Sequence, residues 1–284
     1  MSSNSPRPSK SERQANAREK AAKLAAAQAA QEKRKSLMVK LGVIGAVVVV
    51  IALVFVLIFQ NQSNEVSDAG AAPKGGNAAG GITLISDTEV ADTSGVSVDI
   101  NQVGEPKNVA TPEPRDLQVG AQGEPVVLTI FADANCVHCA TFESQYGDQI
   151  GQWLANGEVM VEYRTVGFLD GGSPTNYSSR AANAMACVAD TAPASYLNFI
   201  EAVWANHANG EMKNAELAQL AQDNGADVTD CINDGTFRPF VQFTTAAAEA
   251  DGIRATPTVM IQDQEFVLGG DFVAEVQAAI EANA

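Results

Sequence analysis

The 284-residue sequence is poor in several residue types: two histidines, two tryptophans and four cysteines, with aromatics making up 6%. Two histidines, His138 and His207, are too few for a metal centre built on clustered imidazoles. Positive charge is also short, 18 Lys+Arg against 34 Asp+Glu, for a net charge of -16. Binding to phosphate backbones rests on clustered cations, so this balance argues against nucleic acid as a partner. Apolar residues are not lacking: at 46% hydrophobic content the chain has enough for a core, and wholesale disorder is excluded.

The scarce cations are unevenly placed. Residues 1–40 hold ten basic and three acidic side chains, whereas eight basic and 31 acidic ones follow Gln60. Between them runs LGVIGAVVVVIALVFVLIF, Leu41 to Phe59, nineteen residues without a charge. As a helix it would extend roughly 28 Å, enough to cross the hydrocarbon of a bilayer. The alternative, a cleaved signal peptide, fits poorly with a charged leader of this length. Lys33, Arg34, Lys35 and Lys40 precede the run and the next cation is Lys74. The positive-inside rule therefore expects a cytosolic leader (1–40), one transmembrane helix (41–59) and export of everything after Gln60, with the protein held in the cell membrane.

Residues 60–119 read as a flexible tether. Asn61 to Gly81 is Gly- and Ala-rich without apolar periodicity, and a chain of that composition has a root-mean-square reach of roughly 25 Å. Short alternating pieces at Ile82 to Ile85 and Val96 to Ile100 leave room for a marginal strand or two.

Cys136, Cys139, Cys187 and Cys231 all lie on the exported side, which suits disulfide chemistry in an oxidising compartment. Cys136-Val137-His138-Cys139 is a C-x-x-C, by itself ambiguous between half a zinc site and a redox pair. It follows an apolar, β-branched run, Val126 to Phe131, of the kind that forms a buried central strand. It opens a helical pattern carrying Phe142, Tyr146, Ile150, Trp153 and Leu154, with Gly157 after its end. Asn135 is the candidate cap, placing Cys136 in the first turn. There free backbone N–H groups and the positive helix end favour a thiolate. His138 is placed to stabilise that thiolate further, and Cys139, one turn on, to close the intramolecular disulfide.

Downstream, Gly252-Ile253-Arg254-Ala255-Thr256-Pro257-Thr258-Val259-Met260-Ile261 leads from a helix end through Thr256-Pro257 into a strand, with Pro257 a candidate for a cis bond. Phe272, Val276 and Ile280 mark a final amphipathic helix. Strand, C-x-x-C helix, Thr-Pro loop and last helix together resemble the DsbA-like thiol-disulfide oxidoreductases over residues 120–284. The resemblance implies an α/β, thioredoxin-like fold with an inserted helical subdomain, here about 173–251, where Tyr196, Phe199, Ile200, Val203 and Trp204 share a helical face behind Pro193, and Leu217 with Leu220 suggests another short helix. It implies Cys136 as exposed nucleophile, Cys139 as buried resolving cysteine and Thr256-Pro257 as the loop that meets substrate. Cys187 and Cys231 fall in the insertion and are the natural second pair, read as a structural disulfide, with a second exchange-active pair or two free thiols as alternatives. The sequence departs from the family at Ile130, where many relatives carry a buried acid, and at Val137, where many carry proline.

The expectation is a membrane-anchored enzyme that introduces disulfides into exported, unfolded proteins with free thiols, using the Cys136–Cys139 disulfide and no dissociable cofactor. The resemblance further implies a membrane partner that reoxidises the pair. The alternatives are a reductase or isomerase using the same cysteines, and a non-catalytic metal carrier or chaperone of the same fold.

Overall fold

The computed structural model of the protein describes residue 23, which is helical, and residues 66–105 and 112–284. The expected transmembrane helix at 41–59, and the basic leader apart from residue 23, lie outside the described residues. Among the described residues no helix is long and apolar enough to cross a membrane.

The strands are β1 (Ala69–Ala71), β2 (Ile82–Leu84), β3 (Ser97–Asp99), β4 (Val126–Ala132), β5 (Val159–Thr165), β6 (Thr258–Ile261) and β7 (Gln264–Glu265). Five form the main sheet in the order β2-β5-β4-β6-β7. β4 runs parallel to β5 and antiparallel to β6, with Ile130 opposite Tyr163 on one side and Val259 on the other. All seven residues of β4 are buried, as a strand covered on both faces requires. Its side chains alternate: Leu128, Ile130 and Ala132 enter the main core, while Phe131 joins Met260, Val166, Ala248 and Ile253 in a smaller cluster.

The helices are α1 (Val137–Ala155), α2 (Tyr177–Thr191), α3 (Tyr196–Ala205), α4 (Asn214–Asp223), α5 (Thr229–Asp234), α6 (Arg238–Ala250) and α7 (Phe272–Asn283). α1 and α7 meet through Phe142, Tyr146 and Trp153 around Phe272, with ring centroids 4.8–6.1 Å from it, spacings at which aromatic pairs attract. α2 to α6 form the helical insertion between β5 and β6. The two helices expected there from apolar spacing are α3 and α4. α2 is the most buried of the five: Ala181, Ala182, Ala184, Met185, Ala186, Val188 and Ala189 are all at 1% exposure or less, and Ser179 and Asn183 on its polar side are buried as well.

The stretch expected to be a flexible tether needs correction over 66–99. β1 pairs with β3, and β2 adds an antiparallel edge to the main sheet against β5, Ile82 opposite Tyr163. Ile82, Thr83 and Leu84 are fully buried, and such burial outweighs the entropy of a Gly-rich approach. The glycines here serve close packing. At Gly81 a Cβ would lie 2.1 Å from Glu162 Oε1, and Gly80 has φ +86° beneath Thr244, whose hydroxyl donates to the Gly80 carbonyl at 2.9 Å. The short strands allowed for at 82–85 and 96–100 are β2 and β3.

Cys187 and Cys231 are joined by a disulfide that links α2 to α5 across 44 residues of chain. A loop of that length gives about 4 kcal/mol in the chain-entropy account. The Cys187→Ala, Cys231→Ala double variant is therefore expected to lose about 2–4 kcal/mol in urea unfolding, and a loss under about 1 kcal/mol would remove the bond from the supports of the insertion. Leu84→Ala, which empties a fully buried site at the sheet edge, is expected to lose about 2–5 kcal/mol. A surface-like change below about 0.5 kcal/mol would return this segment to the status of a tether.

Candidate functional site

β4 ends at Ala132, and the turn Asp133-Ala134-Asn135 delivers the chain to α1. Cys136 is itself the N-cap, in extended geometry (φ -89°, ψ 119°), one position earlier than the expected cap at Asn135 would have placed it. Asn135 is engaged elsewhere: its side-chain amide donates to Glu211 Oε1 at 3.4 Å. The shift sets the Cys136 sulfur at the cap position, where it makes no capping hydrogen bond but, as a thiolate, draws on the backbone N–H groups of Cys139 and His138.

The Thr256–Pro257 peptide is cis, and this loop lies against the motif: the Cys136 thiol donates to the Thr256 carbonyl at 3.2 Å. Cys136 is the less covered of the two sulfurs, yet only 7% exposed, against 1% for Cys139. The expected exposed nucleophile is thus largely roofed by the Thr-Pro loop. Both cysteines are free thiols in this structure.

Their electrostatics diverge. Cys136 is drawn down to about 5, chiefly because its thiolate accepts from the Cys139 thiol, with further donation from Thr256 and the backbone N–H groups of Cys139 and His138; together these outweigh partial burial. The Thr256 carbonyl can serve only the protonated form. Cys139 is pushed well above the usual thiol range, first by burial and then by its role as donor to Cys136. His138 acts on the sulfur through its backbone N–H. Its exposed side chain lies on a cavity of about 290 Å³ shared with Phe142, Tyr146, Pro257, Phe266 and Leu268. Four of the expected residues, Cys136, Cys139, Thr256 and Pro257, therefore converge with His138 at the rim, while Cys187 and Cys231 belong to the insertion.

One residue that matters here went unread in the sequence. Asp133, fully buried, accepts from the backbone N–H of Asn135 at 2.8 Å and of Leu169 at 3.0 Å, and burial pushes its carboxyl up. Its own N–H points at Cys139 Sγ, 3.5 Å away, and its carbonyl accepts from Trp204 Nε1 at 3.2 Å. His207 Nε2 lies 3.2 Å from the Asn135 carbonyl. The turn that aims the motif is thus pinned by α3 and the segment after it. An Asp two residues before Asn135, at a strand-to-helix turn, is the pattern of a side chain bonding nearby backbone; the tryptophan contact spans 71 residues and has no local signature. Ile130, fully buried beside Val259, carries no acid, and the buried acids nearest the motif in sequence are Asp133 and Glu143.

The depressed Cys136 fixes a pH dependence. An unfolded thiol titrates at about 8.5, so between about 5 and 8.5 the folded reduced protein binds fewer protons than the unfolded chain. Stability from the thiolate therefore rises with pH across that window and is lost as pH falls through 5. Glu143, raised to about 8 mainly by burial, tilts the opposite way at intermediate pH, so the reading is the difference between the reduced protein and its Cys136→Ala variant. That difference in urea-unfolding free energy is expected to grow from pH 5 to 8, with ultraviolet thiolate absorbance half-developed near pH 5. A midpoint near the ordinary thiol value would contradict the geometry.

The family profile described as thioredoxin matches residues 113–282. The chain is 32% identical over 162 residues to the serine/threonine-protein kinase PknE of Mycobacterium tuberculosis, covering 53% of this chain and 29% of the kinase. It thus spans under a third of the length of the curated relatives it matches. Among solved structures it is similar to oxidised DsbA of Mycobacterium tuberculosis, with 29% identity, TM-score 0.50, and coverage of 57% of this chain and 88% of that one. It is also similar to the reduced form of the disulfide bond oxidoreductase DsbG of the same organism, with 30% identity, TM-score 0.50, and coverage of 58% and 83%. A parallel β4–β5 pair, a C-x-x-C opening α1, a Thr-Pro loop laid against it and a profile match over most of the described residues lead to one assignment: this chain belongs to the thioredoxin family.

Proposed function

We propose that the protein is a thiol-disulfide oxidoreductase, anchored in the cell membrane through residues 41–59, that passes a Cys136–Cys139 disulfide to exported, unfolded polypeptides. The observation that carries this reading is the placement of two sulfurs one helical turn apart, Cys136 at the helix cap 3.2 Å from the Thr256 carbonyl and Cys139 buried at 1% exposure, an arrangement that favours a thiolate at the first and a thiol at the second. A stabilised thiolate favours the dithiol form, which makes the disulfide a good oxidant. The neighbours DsbA and DsbG support the same chemistry.

In the oxidised protein, a client thiolate attacks Cys136 Sγ. The new client–Cys136 bond forms as the Cys136–Cys139 bond breaks, and Cys139 leaves with the electron pair and takes up a proton, since burial disfavours its anion. A second client thiolate then attacks the client sulfur and expels Cys136, which departs as the thiolate its site stabilises. Two client thiols have lost two electrons and two protons, and the protein holds a thiolate at Cys136 and a thiol at Cys139. Thr256 and Pro257 line the approach to Cys136, and the cavity from His138 to Leu268 receives apolar client segments, with Leu268 exposed in its wall. No dissociable cofactor takes part. A membrane partner that accepts two electrons restores the disulfide. The apolar run and the cations before it support the anchor and an extracytoplasmic catalytic domain.

Oxidative refolding of a reduced, unfolded test protein decides the reading. The oxidised protein is expected to restore client activity, and Cys136→Ala and Cys139→Ala to abolish it, since neither can hold the internal disulfide; the Cys136 thiolate of Cys139→Ala is expected instead to be trapped as a mixed disulfide on a client that already carries a disulfide, expelling one client thiolate. The potential of the pair is expected to lie above thioredoxin's, about -270 mV. A value at or below that, with reduction of insulin-type disulfides, would overturn the oxidase direction.

A further inference from the structure

A second cavity, about 630 Å³, lies between α1 and α3, lined by Val137 of the motif and by Glu143, Asp148, Glu201, Trp204 and His207 among others. It contains three carboxylates and, among the described residues, no lysine or arginine. Glu143 is only 8% exposed. Its Oε1 accepts from the Tyr163 hydroxyl at 3.2 Å, while Oε2 is buried without a partner. The carboxylates of Glu143 and Glu201 turn toward one space above Gly147: a Cβ there would lie 3.5 Å from Glu143 Oε2 and 3.7 Å from Glu201 Oε1. Burial and Glu201 push Glu143 up to about 8, and burial and Asp148 push Glu201 up in turn. Converging acids with an unsatisfied buried oxygen are unfavourable alone and become favourable once a cation enters. Among the described residues no three His, Cys, Asp or Glu side chains are spaced to hold a metal ion, so the fitting cation is an organic one. Val137, next in sequence to Cys136 and 55% exposed, puts one end of the cavity beside the reacting sulfur.

We propose that this cavity is a cation subsite that receives the lysine or arginine side chain of a client residue flanking the cysteine joined to Cys136. The proposal rests on the exchange reading above and gives it a substrate preference: among exported polypeptides, cysteines with a basic neighbour are oxidised first.

The test uses the oxidised full-length protein and paired reduced peptides, identical except for lysine or norleucine two residues from the cysteine. The lysine peptide is expected to exchange about tenfold faster at low salt, a plausible gain for a close charge pair. That ratio is expected to fall to about one in the Glu143→Gln, Glu201→Gln variant and to a few-fold in Glu201→Gln alone. The glutamine at 143 can still accept from Tyr163. An unchanged ratio in the variants, or one that persists when lysine is moved ten residues from the cysteine, would assign the preference to the general attraction of a chain of net charge -16 and overturn the proposal. A second arm needs no exchange: titration with a cysteine-free arginine peptide, followed by the fluorescence of Trp204 in the cavity wall. A saturable change lost in the double variant supports the subsite even if every peptide fails to exchange, in which case the oxidoreductase reading falls by itself. No change in the native protein overturns the subsite.

Discussion

A sulfur atom occupies the place at the start of α1 where an oxygen would cap the helix, and the rest of the site follows from that placement. The first-turn N–H groups have no partner within the helix, so whatever sits at the cap feels their combined pull. For Cys136 the largest lowering comes from the Cys139 thiol, then from Thr256, and the first-turn N–H groups of Cys139 and His138 add to it. Cys139 sits one turn further in, past the open end and under the core, and is driven the other way. Four residues of a single helix thus separate two like groups by their access to unpaired backbone donors and to water. That difference gives an exchange reaction its direction.

Such a placement is only as good as the turn that sets it. Asp133 ties its carboxylate to two backbone N–H groups, its own N–H to Cys139 and its carbonyl to Trp204. The last of these reaches into the helical insertion. The insertion therefore buttresses the motif, and its disulfide between α2 and α5 stiffens the buttress at a distance from the reacting sulfurs. The same helix α3 that braces the turn also supplies Glu201 and Trp204 to the acidic cavity. Braced turn and client subsite are built from one element, so a change in how α3 packs would alter both together.

Elements with a one-sided pattern were legible in the sequence. β4 announced itself by a β-branched run, α1 and α7 by apolar spacing, α3 by its aromatic stripe behind Pro193, and the Thr256-Pro257 loop by proline at a strand start. α2 was not, because its apolar side is mostly alanine, a weak marker of a core, and its polar side, with Ser179 and Asn183, is buried too. The 66–99 segment misled for a different reason. Glycine signals freedom in a linker and close approach in a packed corner, and composition does not separate the two; only the partner at Gly81, the side chain of Glu162, decides. Of the candidate site, the cysteines and the Thr-Pro loop could be read locally. Asp133 could not be weighted without Trp204 from 71 residues away. Glu143 left a faint trace, an acid on the same helical stripe as Cys139 and Ile150, where an apolar side chain is expected.

The bond between Cys187 and Cys231 gives this protein a history. Cys187 is fully buried within α2, so the crosslink must be made before the insertion closes over it, while the new polypeptide is still open. Each copy then needs an oxidant while its insertion is still open, so closed molecules appear no faster than disulfides are supplied to it.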